Sequence, residues 1–158
     1  MYLKYFVYVS SVNNLSDARY CSGMFVDYIG FNFDENSKNH ITIEKFNEIK
    51  NWINGPKIVG EFGNSSWSHT RDYLTEIDVD YISINYHFNN IKSLKKKLII
   101  NIPDLNEVND NLEIITQNSS NVKAVTIDEF DESKIKHIKI LRNHNVFIGK
   151  KETLVQTE

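Results

Sequence analysis

Cysteine and proline are scarce in this sequence, which has one cysteine and two prolines among its 158 residues. The single cysteine, Cys21, cannot form an intramolecular disulfide and leaves no cysteine cluster for structural zinc. This cysteine usage fits a reducing cytoplasm, where we expect the protein to reside. Glycine is also rare, with six residues, and no linker or low-complexity segment divides the chain. We therefore expect one domain over residues 1–158.

An excess of positive charge is lacking as well. The formal net charge is -3, and the one lysine-rich run, Lys95–Lys97, leads directly into an apolar stretch. We therefore expect no nucleic-acid partner. No stretch approaches the roughly 18 apolar residues of a membrane span. The first apolar run is too short for a signal peptide and contains Lys4, so we expect neither membrane insertion nor export.

What the sequence does contain is a series of short apolar runs. Each run is rich in Val, Ile, Phe and Tyr and nearly continuous in its hydrophobicity, which is typical of strands covered on both faces. The runs are YFVYVS, VDYIGFNF, KIVGEF, VDYISIN, KLIINI, VKAVTID and NVFIG. The segments between them carry helix signals. Ile43, Phe46, Ile49 and Ile53 share one helix face, Asp104–Glu107 resembles a helix start, and Ser133–Asn143 is amphipathic. Strands that alternate with helices predict βαβ units and a parallel sheet.

Two α/β architectures fit this alternation. One is an open doubly wound sheet, and the other is a (β/α)8 barrel of the TIM type, shortened to about seven βα units. No G-x-G-x-x-G motif follows a strand, and no glycine-rich phosphate loop with lysine and serine or threonine is present. The dinucleotide-binding interpretation therefore loses its main support, and we expect no cofactor.

The choice between the two rests on a resemblance. Five segments stand in an order and at distances that resemble phosphoribosylanthranilate isomerase, the (β/α)8 barrel enzyme of tryptophan biosynthesis. The segments are Leu15–Ala18, Asp27–Phe33, Ile58–Asn64, Val79–Asn85 and Ala124–Asp128. They are similar to the start of the family's first helix and to its second, third, fourth and sixth strands. The order of elements continues to match as far as about Gly149, so the resemblance implies a divergent barrel, shortened at its C-terminal end.

The resemblance also implies where catalytic groups belong. The family's first strand ends in a Lys-x-Cys-Gly pattern whose cysteine is the general base, and Tyr8, Ser10 and Ser11 fall on the lysine, the cysteine and the glycine. A thiolate is accessible near neutral pH, whereas a serine hydroxyl needs a partner base. No histidine adjoins Ser10 in sequence, although the fold could bring His40 or His87 close to it.

Other departures from the family lie further along the chain. Lys38 stands near the position of the family's substrate-binding arginine, and Asn85 falls within its Gln-x-His-Gly pattern. Gly149, with Lys150, would be the remnant of the phosphate site. Asp128 matches the family's general acid at the C-terminal end of the sixth strand, the barrel face where such enzymes react their substrates.

Asp128 also has a purely structural interpretation. Acidic residues that precede a helix satisfy its free N–H groups and its dipole. Asp128 and the acidic residues that follow it, Glu129, Asp131 and Glu132, lack a metal-ligand spacing, so we expect no metal. The candidate catalytic residues are thus Asp128 and Ser10, and the candidate substrate-binding residues are Tyr8, Lys38, Asn85 and Gly149.

These losses favour a binding or assembly module without the isomerase activity. The alternative is an isomerase that performs the Amadori rearrangement with Asp128 as general acid, and a third possibility is altered chemistry on another small anionic ligand. A set of strand-end residues should converge on one face of the barrel. They are Tyr8, Asn32, Glu61, Ser83, Asn101 and Asp128. Because a seven-stranded sheet leaves apolar edges, we also expect a homodimer built around the N-terminal strand and the C-terminal end.

Overall fold

Strands and helices alternate along the chain. The computed structural model describes residues 6–85, 91–102, 120–128 and 145–148. The strands are β1 (Tyr8–Val9), β2 (Tyr28–Asn32), β3 (Lys57–Gly63), β4 (Tyr81–Asn85), β5 (Lys97–Ile102), β6 (Val122–Ile127) and β7 (Asn145–Ile148). The helices are α1 (Leu15–Gly23), α2 (Ile43–Lys50) and α3 (Trp67–Glu76), with a 3-10 turn at Ile91–Ser93.

The strands form one parallel sheet in sequence order, from β1 to β7. A doubly wound sheet reverses its strand order at a switch point, and this sheet shows no reversal over the described strands. The α/β prediction of a barrel-type sheet is therefore confirmed. The count of seven βα units stays a prediction, because the predicted helices at Asp104–Glu107 and Ser133–Asn143 lie outside the described residues. The single domain over residues 1–158 also stays a prediction.

Each described α-helix begins at a side chain that caps it. The oxygens of Asn14, Thr42 and Ser66 accept hydrogen bonds from the backbone N–H three residues later. Such caps satisfy donors that the first helical turn leaves free. The helix predicted after Thr42 is confirmed, with Phe46 and Ile49 buried against the sheet. No helix in the described part of the chain is both long and apolar enough to cross a membrane.

The outer face of the sheet carries the main hydrophobic core. The large side chains with no more than 1 % exposure on this face include Ile29, Phe31, Phe33, Phe62, Ile82, Ile84, Leu98, Ile100 and Ile102. They pack under the helices: the ring centroid of Phe31 lies 5.1 Å from that of Phe46 on α2, and Phe33 stacks on Phe62 at 5.6 Å. Because side chains alternate across a strand, the intervening residues point to the inner face.

The inner face changes character along the strands. Near the strand starts it is apolar and aromatic, since the rings of Tyr28 and Tyr81 meet edge to face at 5.4 Å beside the buried Val59 and Ile99. Towards the carboxyl ends, the inward positions become hydroxyl, amide and carboxyl side chains. The fold thus closes one end of the sheet's interior with aromatic rings and leaves the other end polar.

Candidate functional site

A cavity of about 560 Å³ opens at the carboxyl ends of the strands. It is called the mouth here and is lined by Phe6, Val7, Tyr8, Ser10, Ser11, Asn32, Glu61, Gly63, Ser83, Asn85, Asn101, Thr126 and Asp128. Apart from Phe6 and Val7, which precede β1, these residues come from every strand from β1 to β6 or from the loops that follow them. One cavity shared by six consecutive strands requires a strongly curled sheet, as in a barrel.

The predicted convergence of strand-end residues is confirmed by this geometry. All of the residues named for it line the mouth: Tyr8, Asn32, Glu61, Ser83, Asn101 and Asp128. The parallel register explains the result, because Asn32 pairs with Glu61, and Glu61 pairs with Ser83 in the next strand. Residues paired in this way stand at the same height and on the same face of the sheet.

The centre of the wall is the carboxyl group of Glu61. Its Oε1 accepts a hydrogen bond from the Tyr8 hydroxyl at 2.5 Å. Its Oε2 accepts from the backbone N–H of Ser11 at 3.0 Å and from the Ser11 hydroxyl at 3.0 Å. These bonds connect β3 to β1 and pass over the strand that separates them. The side chain of Glu61 therefore lies across the interior, with its residue only 8 % exposed.

Two backbone features make room for this arrangement. Gly30 lies on β2 between the bonded strands, and a Cβ atom there would fall 1.9 Å from Glu61 Oε1. Only glycine fits beneath the carboxyl group. Ser11 adopts a φ of 54°, in the left-handed region that non-glycine residues rarely occupy, and this conformation accompanies its two bonds to Glu61. The left-handed backbone at Ser11 and the absence of a Cβ at Gly30 thus both accommodate the observed position of the Glu61 carboxyl group.

Burial shifts the pKa of both partners in the same direction. Removal from water raises the pKa of the Glu61 carboxyl, and this effect outweighs the opposing hydrogen bonds from Tyr8 and Ser11. Burial likewise raises the pKa of the Tyr8 hydroxyl, and the neighbouring Glu61 raises it further. The pair consequently holds its protons more tightly than the free side chains do.

Amide and hydroxyl side chains form a second network along the rim. The Thr126 hydroxyl donates to Asn101 Oδ1 at 3.0 Å, and Asn101 Nδ2 donates to Asn85 Oδ1 at 3.1 Å. Asn85 Nδ2 then donates to Asn64 Oδ1 at 2.6 Å, in the loop after β3. Each amide is oriented by its neighbour, so the network presents a fixed set of donors and acceptors.

The described wall of the mouth carries acidic side chains only. Among the described lining residues, Glu61 and Asp128 are the ionisable acids, and no Lys, Arg or His is present. The described residues also contain no group of three or more His, Cys, Asp or Glu side chains arranged to hold a metal ion. Asp128 is half-buried and makes no hydrogen bond with the described part of the chain.

The structure brings together four of the six residues predicted for the site. Ser10, Tyr8, Asn85 and Asp128 all line the mouth, although their roles stay predictions. Lys38 does not, because it is exposed in the loop between β2 and α2.

The remaining predicted groups do not contribute to the described wall. Gly149 lies outside the described residues, as does His87. His40 is half-buried and does not line the mouth. In the described part of the chain, Ser10 therefore has no histidine beside it in the cavity.

Sequence reasoning placed Glu61 at the mouth but missed its partners. The resemblance put Ser11 on a glycine of the family pattern, yet its N–H and hydroxyl both bind the carboxyl group. Thr126 and Gly30 were missed as well. One signal was available: Glu61 interrupts the apolar run KIVGEF, and a glutamate is almost never fully buried unless it is paired.

Fold and cavity together define a class: a parallel α/β barrel-type domain with a ligand-sized polar cavity at the carboxyl ends of its strands, where barrels of this type carry their sites. Solved phosphoribosylanthranilate isomerases have the same fold. The enzyme from Thermus thermophilus superposes with a TM-score of 0.70 at 12% identity, over 91% of this chain and 76% of that one. TrpF from Jonesia denitrificans gives a TM-score of 0.71 at 9% identity, over 94% and 76%.

A third structure holds a ligand. It is a phosphoribosylanthranilate isomerase in complex with reduced 1-(o-carboxyphenylamino)-1-deoxyribulose 5-phosphate, with a TM-score of 0.64 at 16% identity, over 94% of this chain and 89% of that one. The predicted resemblance is thus confirmed at the level of the fold. No protein-family model and no curated protein matches the sequence.

Proposed function

We propose that this chain is a small-molecule-binding domain on the phosphoribosylanthranilate isomerase fold that does not catalyse the isomerase reaction. The observation that carries the proposal is the charge of the mouth. Its described wall presents Glu61 and Asp128 and no cationic side chain. The ligand in the related complex carries a phosphate and a carboxyl group by name. Two carboxyl groups repel such an anion, and no described charge offsets that repulsion.

The group at the general-base position supports the same conclusion. The resemblance places Ser10 where the family has its cysteine, and a hydroxyl needs an adjacent base to take a proton from carbon. Glu61 lines the same cavity as Ser10, but its described hydrogen bonds go to Tyr8 and Ser11. Ser10 therefore has no activating partner among the described residues of the mouth.

An activity assay with freshly prepared phosphoribosylanthranilate tests the proposal. Turnover is measured as the loss of substrate fluorescence. We expect none above the level of a heat-denatured sample. Ser10→Cys should not restore turnover, because the charge of the mouth is unchanged. Activity in that single variant would show that the missing thiol alone had silenced the protein.

The alternative function is the isomerase itself, with Asp128 as general acid. One observation favours it: Asp128 and Ser10 line the same cavity, at the ends of β6 and β1. In this case the wild type should turn over the substrate, Asp128→Asn should lose the activity, and Glu76→Gln, an exposed change on α3, should keep it. That pattern would replace the binding proposal. An anionic ligand of any kind would need cations from beyond the described residues.

We also propose that the chain forms a homodimer through its first strand. β1 stands at one end of the order of the described strands, pairs with β2 over only two residues, and has Phe6 and Val7 exposed beside it. An apolar strand at the end of a sheet favours association with another chain. Light scattering over a dilution series should give twice the mass of one 18.5 kDa chain. A single-chain mass at every micromolar concentration would contradict the dimer.

A further inference from the structure

We propose that Glu61 anchors the ligand of the mouth, and that this ligand is a small polyhydroxylated amine whose ammonium group is bound by the carboxyl group of Glu61. The inference rests on the proposed binding function and adds the chemical class of the ligand. It assigns to Glu61 a role distinct from those predicted for Ser10 and Asp128.

The position of the Glu61 carboxyl group is fixed by the surrounding structure. The carboxyl group is held by three donors from Tyr8 and Ser11, and it occupies space that exists only because residue 30 is glycine. A carboxyl group removed from water is unfavourable unless it gains partners. Glu61 remains a wall residue of the cavity, so a ligand can reach the one strongly held charge-bearing group of the interior.

The charge of the described wall is complementary to an ammonium group. Asp128 is the only other acid among the described lining residues, and no described cation neutralises either group. An ammonium group is the natural partner for such a wall, because an opposite charge offsets the cost of burying an ionised carboxyl group. A phosphorylated ligand would instead be repelled, because its phosphate has the same sign of charge as the two carboxyl groups. The sign of the described wall thus selects an amine over a phosphate ester.

The uncharged part of the described wall suits a ligand with several hydroxyl groups. The remainder of the described wall consists largely of hydroxyl and amide side chains, among them Ser83, Asn85, Asn101 and Thr126. The rim network orients the amides, so they can both donate to and accept from ligand hydroxyl groups. A cavity of about 560 Å³ lies in the range of ordinary small-molecule sites, with room for a monosaccharide-sized molecule.

Three sugars that differ mainly in charge test the inference. D-glucosamine, D-glucose and D-ribose 5-phosphate are titrated into the full chain by calorimetry, at neutral pH and low ionic strength. We expect glucosamine to bind at least about tenfold more tightly than glucose, which corresponds to about 1.4 kcal/mol. Ribose 5-phosphate should show no measurable binding.

Variants locate the source of the preference. Glu61→Gln keeps the size of the side chain and removes the charge, so the preference for glucosamine over glucose should fall to less than about threefold while glucose binding stays. Glu76→Gln makes the same chemical change on an exposed helix position and should keep the full preference. If Glu61→Gln fails to fold by circular dichroism, Glu61→Asp serves in its place. It keeps the charge but shortens the side chain, so the carboxyl group withdraws from its position and the preference should fall; an unchanged preference in that variant would also overturn the inference.

Several results would overturn the inference. They are equal binding of glucosamine and glucose, no binding of any of the three sugars, tighter binding of ribose 5-phosphate, or an unchanged preference in Glu61→Gln. The proposed function fails separately, through turnover in the isomerase assay. An inactive protein without an amine preference would leave the proposed function standing and reject only the ligand class.

Discussion

The two faces of the same strands differ sharply. On β4, Ile82 and Ile84 point outward and are buried under the helices, whereas Ser83 and Asn85 point inward and line the mouth. β5 repeats the pattern with Ile100 and Asn101. The comparison teaches that the outer face holds the fold together, while the carboxyl-end half of the inner face is free to carry polar groups. Substitutions on the two faces should therefore have different consequences.

The largest effect is expected on the outer face. Phe31→Ala removes a fully buried ring that packs edge to face on Phe46, and it should lower the free energy of unfolding by about 3–5 kcal/mol. Asn101→Ala, on the inner face, removes two rim hydrogen bonds and should cost about 1–3 kcal/mol in all. Urea denaturation measures both. Equal losses would mean that the inner face contributes as much to stability as the outer face.

The next effect concerns the glycine beneath the carboxyl group. Gly30→Ala places a methyl group against Glu61 Oε1, so the carboxyl group must move, at a cost of about 1–3 kcal/mol for overpacking. Gly23→Ala is the matched control, since a Cβ there meets nothing within 4 Å. It should leave the unfolding midpoint unchanged or raise it slightly. Similar losses in the two variants would argue against a tightly held Glu61.

The third effect appears only when pH is varied. Burial raises the pKa of Glu61 in the folded state above the ordinary 4.5 that it has in the unfolded chain. At a pH between the unfolded-state pKa and the folded-state pKa, the folded state therefore keeps a proton that the unfolded chain has lost. The free energy of unfolding of the wild type should therefore fall, relative to Glu61→Gln, as pH rises through this window. Urea midpoints over a pH series measure the difference.

Asp78 provides a contrast of opposite sign outside the barrel. Its hydrogen bond and charge interaction with Lys50 lower the pKa of its carboxyl group below the ordinary 3.8. Its stabilising effect should be present above that value and be lost as pH falls. Relative to Asp78→Asn, the wild type should thus lose stability towards acid. The same trend at both positions would mean that the inner carboxyl group is not held as described.

The smallest effect is expected on the rim. Thr126→Val keeps the shape of the side chain and removes the hydroxyl that donates to Asn101, which should cost about 0.5–1.5 kcal/mol. Thermal unfolding measures the change. The binding of a neutral sugar should weaken more than stability does, because the orientation of the amide network depends on this donor. An unchanged sugar affinity would remove the network from the site.

Much of the fold could be predicted because the outer face dictates an apolar pattern. The helix signal at Thr42 and the apolar runs gave α2 and the strands from β2 to β7 close to their observed bounds, since both depend on residues near in sequence. β1 is the exception: six residues were predicted and Tyr8–Val9 are paired. Its inward Tyr8 is fixed by Glu61, more than fifty positions away, and no local pattern contains that contact.

The site was only partly predictable for the same reason. Strand ends converge in any parallel barrel, so the positions of Asn101 and Asp128 followed from topology. The partnership of Ser11 with Glu61 did not, because it depends on an unusual φ at Ser11 and on the empty space above Gly30. Lys38 was placed from a family pattern alone, and in the structure it is exposed and does not line the described wall of the cavity.

The bonds that Glu61 receives from Tyr8 and Ser11 also bear on how the first strand comes loose. β1 is paired with β2 over two residues, so the bonds to this distant carboxyl group add to a short ladder. When the strand detaches, the carboxyl group regains water and its proton is held less tightly. Detachment is then coupled to proton release, and we expect amide exchange near Val12, whose N–H donates to Gly30 O, to speed up as pH rises beyond its intrinsic dependence. The protonation of a group two strands away should thus contribute to the lifetime of β1.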